Sequence, residues 1–195
     1  MASEGRRERE RAIRERLIIA AARELAESQG WEAVTTRRLA ERVEYSQPVL
    51  YSHFKSKDAI MAAVALEGFA DLASALEQAH RDAAPGTGRT TLEGLTAVAK
   101  AYLDFAAHRP ALYDTMFSQH LDLPFAADNT PEPLKAGFNA LAAALAPFAA
   151  ADDLGLLTET LWAALHGLIT LTRGNRLPPE LQDRRLVILL TRLTK

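Results

Sequence analysis

The 195-residue sequence contains no cysteine, which excludes disulfide bonds and thiolate-ligated metal sites. Glycine and proline are scarce, at 10 and 9 residues, and β-branched runs are few. Because the chain is instead rich in alanine, leucine, arginine and glutamate, its composition predicts an almost wholly helical protein. No apolar run is long enough to suggest a membrane span, and no apolar h-region follows the basic N-terminus. We therefore expect a cytoplasmic chain with no membrane partner.

Charge is unevenly distributed along the chain, although the total is nearly balanced. The sequence holds 23 Lys and Arg residues against 25 Asp and Glu residues, a net charge of −2 at pH 7. Residues 1–57 hold 12 basic and 9 acidic residues, whereas residues 58–195 hold 11 basic and 16 acidic residues. The positive segment is therefore N-terminal. This asymmetry is modest, and it is consistent with nucleic-acid binding without being diagnostic of it.

Motifs for catalysis and cofactor binding are missing from the sequence. It contains no nucleophile elbow, no metal-ligand cluster and no phosphate-binding loop. Four histidines are too widely spaced to suggest a metal set, and they are His80, His108, His120 and His166. We expect no enzymatic activity, no metal and no cofactor.

The stretch TTRRLAERVEYSQPVLYSHFKSKD, residues 35–58, predicts two short helices joined by a tight turn. Thr35 and Thr36 are candidate N-caps of the first helix, and Ser46 is a candidate N-cap of the second. Pro48 falls in the first turn of the second helix, where it removes no intrahelical hydrogen bond. Two helices of about two turns joined in this way form a helix-turn-helix.

The outward surface of the second helix is short, polar and free of acidic residues. Gln47, Pro48, Val49 and Ser52 face outward, and Tyr51, His53 and Lys55 lie along the flanks. Such a surface suits a helix that lies in the major groove of DNA. Lys57 follows at the start of the next helix, where both its ammonium group and the helix dipole favour a phosphate.

The segments TTRRLAERV, SQPVLYSHF and KSKD together resemble the TetR family of bacterial transcriptional repressors. The resemblance implies base contacts from Arg37 and Gln47, and an apolar base contact from Pro48 or Val49. It also implies backbone contacts from Thr36, Tyr51, His53 and Lys57. The whole predicted DNA-binding set comprises Thr36, Arg37, Ser46, Gln47, Pro48, Val49, Tyr51, His53, Lys55 and Lys57. The family commonly has glycine in the turn where this chain has Glu44, which predicts a positive φ at a cost of about 1 kcal/mol.

The segments before and after the helix-turn-helix complete the predicted DNA-binding head and its connection to the rest of the chain. Residues 1–11 suit a basic arm, with Arg6, Arg7, Arg9 and Arg11 near phosphates or a minor groove, or equally a solvated helix start. A helix follows from Ile13 and ends at Gly30. A long helix from Lys57 to about Ala83 would span about 40 Å and join the head to the rest. We predict an all-α fold with a three-helix DNA-binding domain, 1–57, and a helical bundle for ligand binding and dimerisation, 58–195.

The last two predicted helices, 153–174 and 180–193, carry more apolar surface than one contact face needs. Pairing with the same helices of a second copy would bury this surface in a four-helix interface. An ordinary buried hairpin within one chain is the alternative. The predicted interface comprises Leu154, Leu157, Leu161, Leu165, Leu168, Leu186, Leu189, Leu190 and Leu193. WAALHG at 162–167 also resembles a pattern of the WHG-type C-terminal subgroup of the family.

The family resemblance further implies a small-molecule inducer bound within the C-terminal bundle. The candidate lining residues are Phe69, Tyr102, Phe105, Tyr113, Met116, Phe117, Phe138, Trp162 and His166. Each aromatic could equally be plain core, and His166 could be a satisfied core histidine. We expect a hydrophobic or aromatic inducer, a homodimer and a palindromic double-stranded DNA operator. The alternatives are a transcriptional activator of the same fold and a helical interaction protein that has lost DNA binding.

Overall fold

The computed structural model describes residues 2–83, 91–117, 121, 123–125, 127–149 and 153–195. The helices are α1 (Ala2–Gln29), α2 (Thr36–Arg42), α3 (Gln47–His53), α4 (Lys57–Asp82), α5 (Thr91–His108), α6 (Pro110–Met116), α7 (Glu132–Leu145), α8 (Leu154–Arg173) and α9 (Gln182–Leu193). Short 3₁₀ turns occupy Trp31–Ala33, Ala146–Phe148 and Pro179–Leu181. No strand occurs in these ranges, so the all-α prediction is confirmed. His120 and the predicted loop 85–89 lie outside the described residues.

The chain forms two compact units, and each is built from two separate segments. The first unit comprises Met1–Gly68 and Arg109–Asn129, and the second comprises Phe69–His108 and Thr130–Lys195. Helix α4 therefore contributes its first half to the first unit and its second half to the second. The short helix α6 belongs to the first unit, together with α1, α2 and α3.

The core of the first unit forms around one face of α1. Ile18, Ala22 and Leu25 recur at helical spacing and are buried, which identifies the inward stripe of that helix. Leu39 of α2 and Leu50 of α3 are at most 1% exposed. Burial of these aliphatic side chains fixes α2 and α3 against α1 and thereby sets which residues of the two short helices face outward.

Helix α6 is fastened to α1 by the side chain of Glu27. Its two carboxylate oxygens accept hydrogen bonds from the backbone N–H of Ala111, at 3.1 Å, and of Leu112, at 2.8 Å. The indole Nε1 of Trp31 donates to the carbonyl oxygen of Ala111 at 3.3 Å. Glu27 thus satisfies two N-terminal amides that have no partner within α6, and its charge also favours that end of the helix.

Gly68 of α4 lies directly against side chains of α6. A Cβ atom at this position would lie 2.8 Å from Sδ of Met116 and 2.9 Å from Cδ1 of Leu112. Real Cβ atoms do not approach other heavy atoms this closely. A larger residue at position 68 would therefore require the flexible side chains of Met116 and Leu112 to shift.

The second unit buries much of the leucine row that the sequence assigns to a dimer interface. The side chains of Leu161, Leu165, Leu186 and Leu190 are at most 1% exposed and lie in the core of a single chain. The interface prediction is wrong for these four residues, because a side chain buried in its own core presents no surface to a partner. Leu154, Leu157, Leu168, Leu189 and Leu193 are half-buried.

Two helices are long and apolar enough, by length and composition alone, to cross a membrane. They are α4, whose apolar window has a mean hydropathy of 1.6, and α8, with a value of 1.3. The expectation that no apolar stretch reaches this length is therefore wrong. The window in α4 is 44% buried within the protein, whereas that in α8 is only 22% buried. Core helices of soluble proteins pass the same test, so this remains weak support for a membrane span.

Candidate nucleic-acid interface

The turn between α2 and α3 has the backbone geometry that the sequence predicts. The Oγ1 atom of Thr35 accepts from the N–H of Arg38 at 3.3 Å and caps α2. Glu44 has a φ of 58°, and the following N–H of Tyr45 donates to the carbonyl oxygen of Ala40 at 2.9 Å. This is a Schellman closure with a glutamate where glycine is usual. The prediction of a positive φ at Glu44 is confirmed.

Helix α3 exposes the residues that the sequence predicts for base contact. Leu50 is fully buried and holds the helix to the core, whereas Gln47, Pro48 and Val49 are exposed. Pro48 lies in the first turn, as predicted, and Ser46 precedes the helix without a side-chain capping bond. The hydroxyl of Ser52 donates to the carbonyl oxygen of Val49 at 2.6 Å. The first turn of α3 thus offers an amide and two apolar groups to a partner.

Residues at the start of α2 lie beside this helix. The hydroxyl oxygens of Thr36 and Tyr51 are 3.4 Å apart, which brings two predicted backbone-contacting groups together. Arg37 is exposed, and its Nε atom donates to a carboxylate oxygen of Glu41 at 2.9 Å. Because this pair is exposed and lies on one helix, it holds the guanidinium group only weakly.

Lys57 begins α4, and its ammonium group is held near the end of α1. The Nζ atom donates to the carbonyl oxygen of Trp31 at 2.7 Å, while the residue remains exposed. A lysine ammonium has three N–H donors, so this bond leaves two. The hydroxyl of Ser56 accepts from the N–H of Ala59 at 3.1 Å and caps α4. Lys57 and the positive helix end thus present one electropositive position.

His53 does not lie where a contact with DNA would require it. Its side chain is 7% exposed, and its Nδ1 atom lies 3.3 Å from a carboxylate oxygen of Glu15. The same oxygen accepts from Nε of Arg11 at 2.8 Å. The hydrogen bond from Arg11 holds the pKa of Glu15 below its ordinary value, and His53 adds to this effect. We therefore correct the prediction for His53, because this side chain ties the end of α3 to α1.

Arg38 is a supporting residue that the sequence does not reveal. Its Nη2 atom donates to Oε1 of Gln29 at 2.7 Å, and its Nη1 atom donates to the carbonyl oxygen of Ala33 at 3.3 Å. These bonds fasten the start of α2 to the turn after α1. Its neighbour Arg37 faces outward. Of these two adjacent arginines, Arg38 therefore supports the fold, and Arg37 is exposed to a partner. Only the helical phase of positions 37 and 38 could have suggested this difference.

The candidate ligand residues are divided between the two units. Tyr113, Met116 and Phe117 belong to the first unit; Phe69, Tyr102, Phe105, Phe138, Trp162 and His166 belong to the second. In the second unit, Nε1 of Trp162 donates to the hydroxyl of the buried Tyr102 at 3.0 Å. Burial lowers the pKa of His166. Within the described ranges, no group of three or more His, Cys, Asp and Glu residues could hold a metal ion.

An all-helical fold with a capped helix-turn-helix and an outward-facing, acid-free recognition helix defines a helix-turn-helix DNA-binding protein. Residues 18–64 match the family described as bacterial regulatory proteins, tetR family. Residues 95–193, about half of the chain, match the family described as tetracyclin repressor-like, C-terminal domain. The chain belongs to the TetR family, and it is a transcriptional regulator with a DNA-binding helix-turn-helix.

Individual proteins show the same similarity. The chain is 26% identical over 158 residues to an uncharacterized HTH-type transcriptional regulator of Mycobacterium tuberculosis, covering 79% of this chain and 67% of that regulator. It is 52% identical over 48 residues to the class C tetracycline repressor of Escherichia coli, covering 25% of this chain and 22% of the repressor. Its fold resembles a TetR variant from Acinetobacter baumannii solved with minocycline, with a TM-score of 0.60, 21% identity and coverage of 91% and 92% of the two chains.

The family assignment also decides against catalysis, since the family and the similar proteins are transcriptional regulators. Membership of the WHG-type subgroup stays a prediction. The roles of individual DNA-binding and ligand-binding residues stay predictions as well.

Proposed function

We propose that this regulator is a repressor that binds a palindromic operator as a homodimer and is released by a small, mostly hydrophobic molecule. The observation that carries the proposal is the exposed first turn of α3, where Gln47, Pro48 and Val49 face outward without an acidic residue among them. The 52% identity over 48 residues to a tetracycline repressor supports DNA recognition by this helix-turn-helix.

The DNA contacts divide into base readout and backbone positioning. Gln47 has the paired donor and acceptor that adenine requires, and Arg37 can form the paired bonds that guanine requires. Pro48 or Val49 provides apolar contact with a base. The proposed backbone contacts come from hydroxyl and ammonium groups, and they are Thr36, Ser46, Tyr51, Lys55 and Lys57. His53 is omitted from this set because its side chain is buried against Glu15.

The dimer interface is proposed on the exposed faces of α8 and α9. Leu156 is 67% exposed, and Val187 and Ile188 are each 56% exposed, although all three are large apolar residues. Ala163 and Gly167 continue the face of α8 at helical spacing, and a Cβ atom at Gly167 would meet no heavy atom within 4 Å. A second copy placed on this face buries apolar side chains and approaches the backbone closely.

Operator symmetry follows from such a dimer. Two copies of α3 related by a two-fold axis read successive major grooves on one face of DNA when they are about 34–36 Å apart, or a multiple of this. The two half-sites then repeat the same bases on opposite strands. A palindrome or near-palindrome is therefore the expected operator.

The second unit supplies the proposed inducer site. Its aromatic residues favour a hydrophobic or aromatic molecule, and the hydrogen-bonded pair of Trp162 and Tyr102 adds polar groups. The minocycline complex of the similar A. baumannii protein supports a ligand of this class. Release from DNA then requires the ligand to bind one conformation of the regulator more tightly than the DNA-binding one.

The experiment is selection of binding sites from random duplex DNA with purified protein at moderate salt. Recovery of a palindrome supports a dimeric, sequence-specific regulator and gives an operator with which hydrophobic compounds can be screened for release. If a folded, dimeric protein enriches no sequence, the repressor proposal fails and the interaction-protein alternative gains support.

A further inference from the structure

Helix α1 begins well before the core of the first unit. It starts at Ala2, and from residue 5 onwards its first buried residue is Ile18, because residues 5–17 are all exposed or half-buried. At 1.5 Å per residue, these 13 residues form about 20 Å of helix that the core does not need. The segment contains six arginines and three glutamates, so it carries a net positive charge.

One face of this overhanging helix continues the buried face of α1. Leu25, Ala22 and Ile18 form the inward stripe, and the same helical spacing continues N-terminally through Arg14, Arg11 and Arg7. The residues on this face thus change from aliphatic to arginine where α1 leaves the core.

The arginine face passes the C-terminal end of the recognition helix. The contact between His53 and Glu15 joins the last residue of α3 to α1 at 3.3 Å. Arg14 and Arg11 lie within about one turn of Glu15, and Arg7 lies about 12 Å beyond it along the helix. Lys55, two residues after α3, is exposed nearby in sequence. The basic face and α3 therefore lie on the same side of α1.

The charges on this face are available to a partner. Among the described residues, Arg7 and Arg14 form no ion pair, and Arg11 bonds to Glu15 across an exposed pair. An arginine can donate two parallel hydrogen bonds to one phosphate. The backbones of duplex DNA flank any helix in its major groove, so phosphates lie on either side of α3. Charge complementarity therefore favours DNA as the occupant.

We propose that Arg7, Arg11 and Arg14 form a second DNA contact, which binds the phosphates that flank the half-site read by α3. This inference rests on the proposed DNA-binding mode and adds a part of the chain outside the helix-turn-helix. The contact contributes affinity and salt dependence and no base preference.

Two double variants test the proposal with equal changes of charge. Arg7→Gln with Arg14→Gln removes the proposed contacts, and Arg9→Gln with Arg16→Gln removes two exposed arginines of the same spacing from the opposite face. Glutamine and arginine have similar helix propensities, so α1 is retained in both, which circular dichroism verifies. Affinity is measured as a function of salt concentration on two duplexes. The long duplex is a selected operator with flanking DNA on both sides, and the short duplex is the same operator without the flanking DNA.

The expected result is a shallower salt slope for the first variant on the long duplex only. The slope changes by about 0.9 for each phosphate that the protein no longer neutralises. Equal slopes for the two variants on the long duplex, or a weakening of the first variant that persists on the short one, would overturn the flanking contact. If site selection yields no operator from the wild-type protein, the proposed repressor function fails instead. In that case, the salt dependence of the same variants on random-sequence duplexes tests the arginine contact separately from the repressor function.

Discussion

The Nζ atom of Lys57 lies 2.7 Å from the carbonyl oxygen of Trp31, so the first residue of α4 is tied to the turn that follows α1. This bond holds the ammonium group beside the capped N-terminus of α4, where both favour a phosphate. It also removes most of the freedom of a long side chain before DNA arrives. A positioned lysine loses less conformational entropy on binding than a free one.

Lys57→Ala should weaken binding to every DNA sequence, because the ammonium group is placed for a phosphate and not for a base. We expect the salt slope to fall by about 0.9 per protomer, measured by fluorescence anisotropy over a range of salt concentrations. Lys135→Ala removes the same charge from the exposed surface of α7 and serves as the control. Equal effects of the two substitutions would contradict a specific phosphate contact.

Gln47→Ala should relax the preference at particular bases. Its exposed amide in the first turn of α3 is the group best suited to adenine, and a good paired contact discriminates by about 1–3 kcal/mol. Repeating the site selection with the variant measures this change, while affinity for random-sequence DNA provides the control. If the variant selected sites with the same base preferences as the wild-type protein, the bases would be recognised by other residues.

Glu44→Gly should stabilise the protein by about 1 kcal/mol, because glycine adopts a positive φ without a Cβ penalty. Urea denaturation measures this change. Removal of an acidic group beside the DNA should also raise affinity. Glu44→Gln separates the two effects, since it removes the charge and keeps the strain. If the Gly variant were no more stable than the Gln variant, the backbone cost would be negligible.

Ile188→Glu should shift the protein towards monomer, because a charge on the proposed apolar face cannot be paired when two copies meet. Sedimentation equilibrium measures the shift, and operator affinity should fall with it. Leu92→Glu alters an exposed leucine of α5, outside the proposed interface, and should leave the dimer intact. A dimer that survives Ile188→Glu would place the interface elsewhere.

Glu27→Ala should destabilise the first unit by about 1–2 kcal/mol, since it removes the acceptor of two N-terminal amides of α6. The shift of the urea midpoint of the full chain measures the destabilisation. Glu24→Ala, one turn earlier, breaks an exposed ion pair with Arg42 and should cost less. Similar destabilisation by the two variants would mean that the two hydrogen bonds to Glu27 contribute no more than an exposed ion pair.

Local patterns in the sequence predict the helix-turn-helix well because its signals are local. The cap at Thr35 and the proline in the first turn of α3 both act within a few residues, and both predictions are confirmed. The positive φ of Glu44 is instead implied by the family resemblance, because the family commonly has glycine at this turn position.

Local sequence patterns do not predict contacts between residues that are far apart in the sequence. The sequence presents His53 as a flank residue because its partner, Glu15, lies 38 residues earlier. Glu27 reaches α6 across 85 residues, and no periodicity indicates that pairing. The leucines of α8 and α9 show a related limit. A helical stripe identifies apolar positions, but the assignment of Leu161 to the core and of Leu156 to the surface depends on how neighbouring helices pack.

The attachment of α6 to α1 has a consequence for exchanging DNA-binding specificity between relatives. A transplant of residues 1–57 alone would carry Glu27 and Trp31 into a host without the backbone of Ala111 that they bind. The carboxylate and the indole would then depend on whatever helix the host supplies. A working chimera of this regulator therefore needs a discontinuous graft, in which α6 travels with the N-terminal segment.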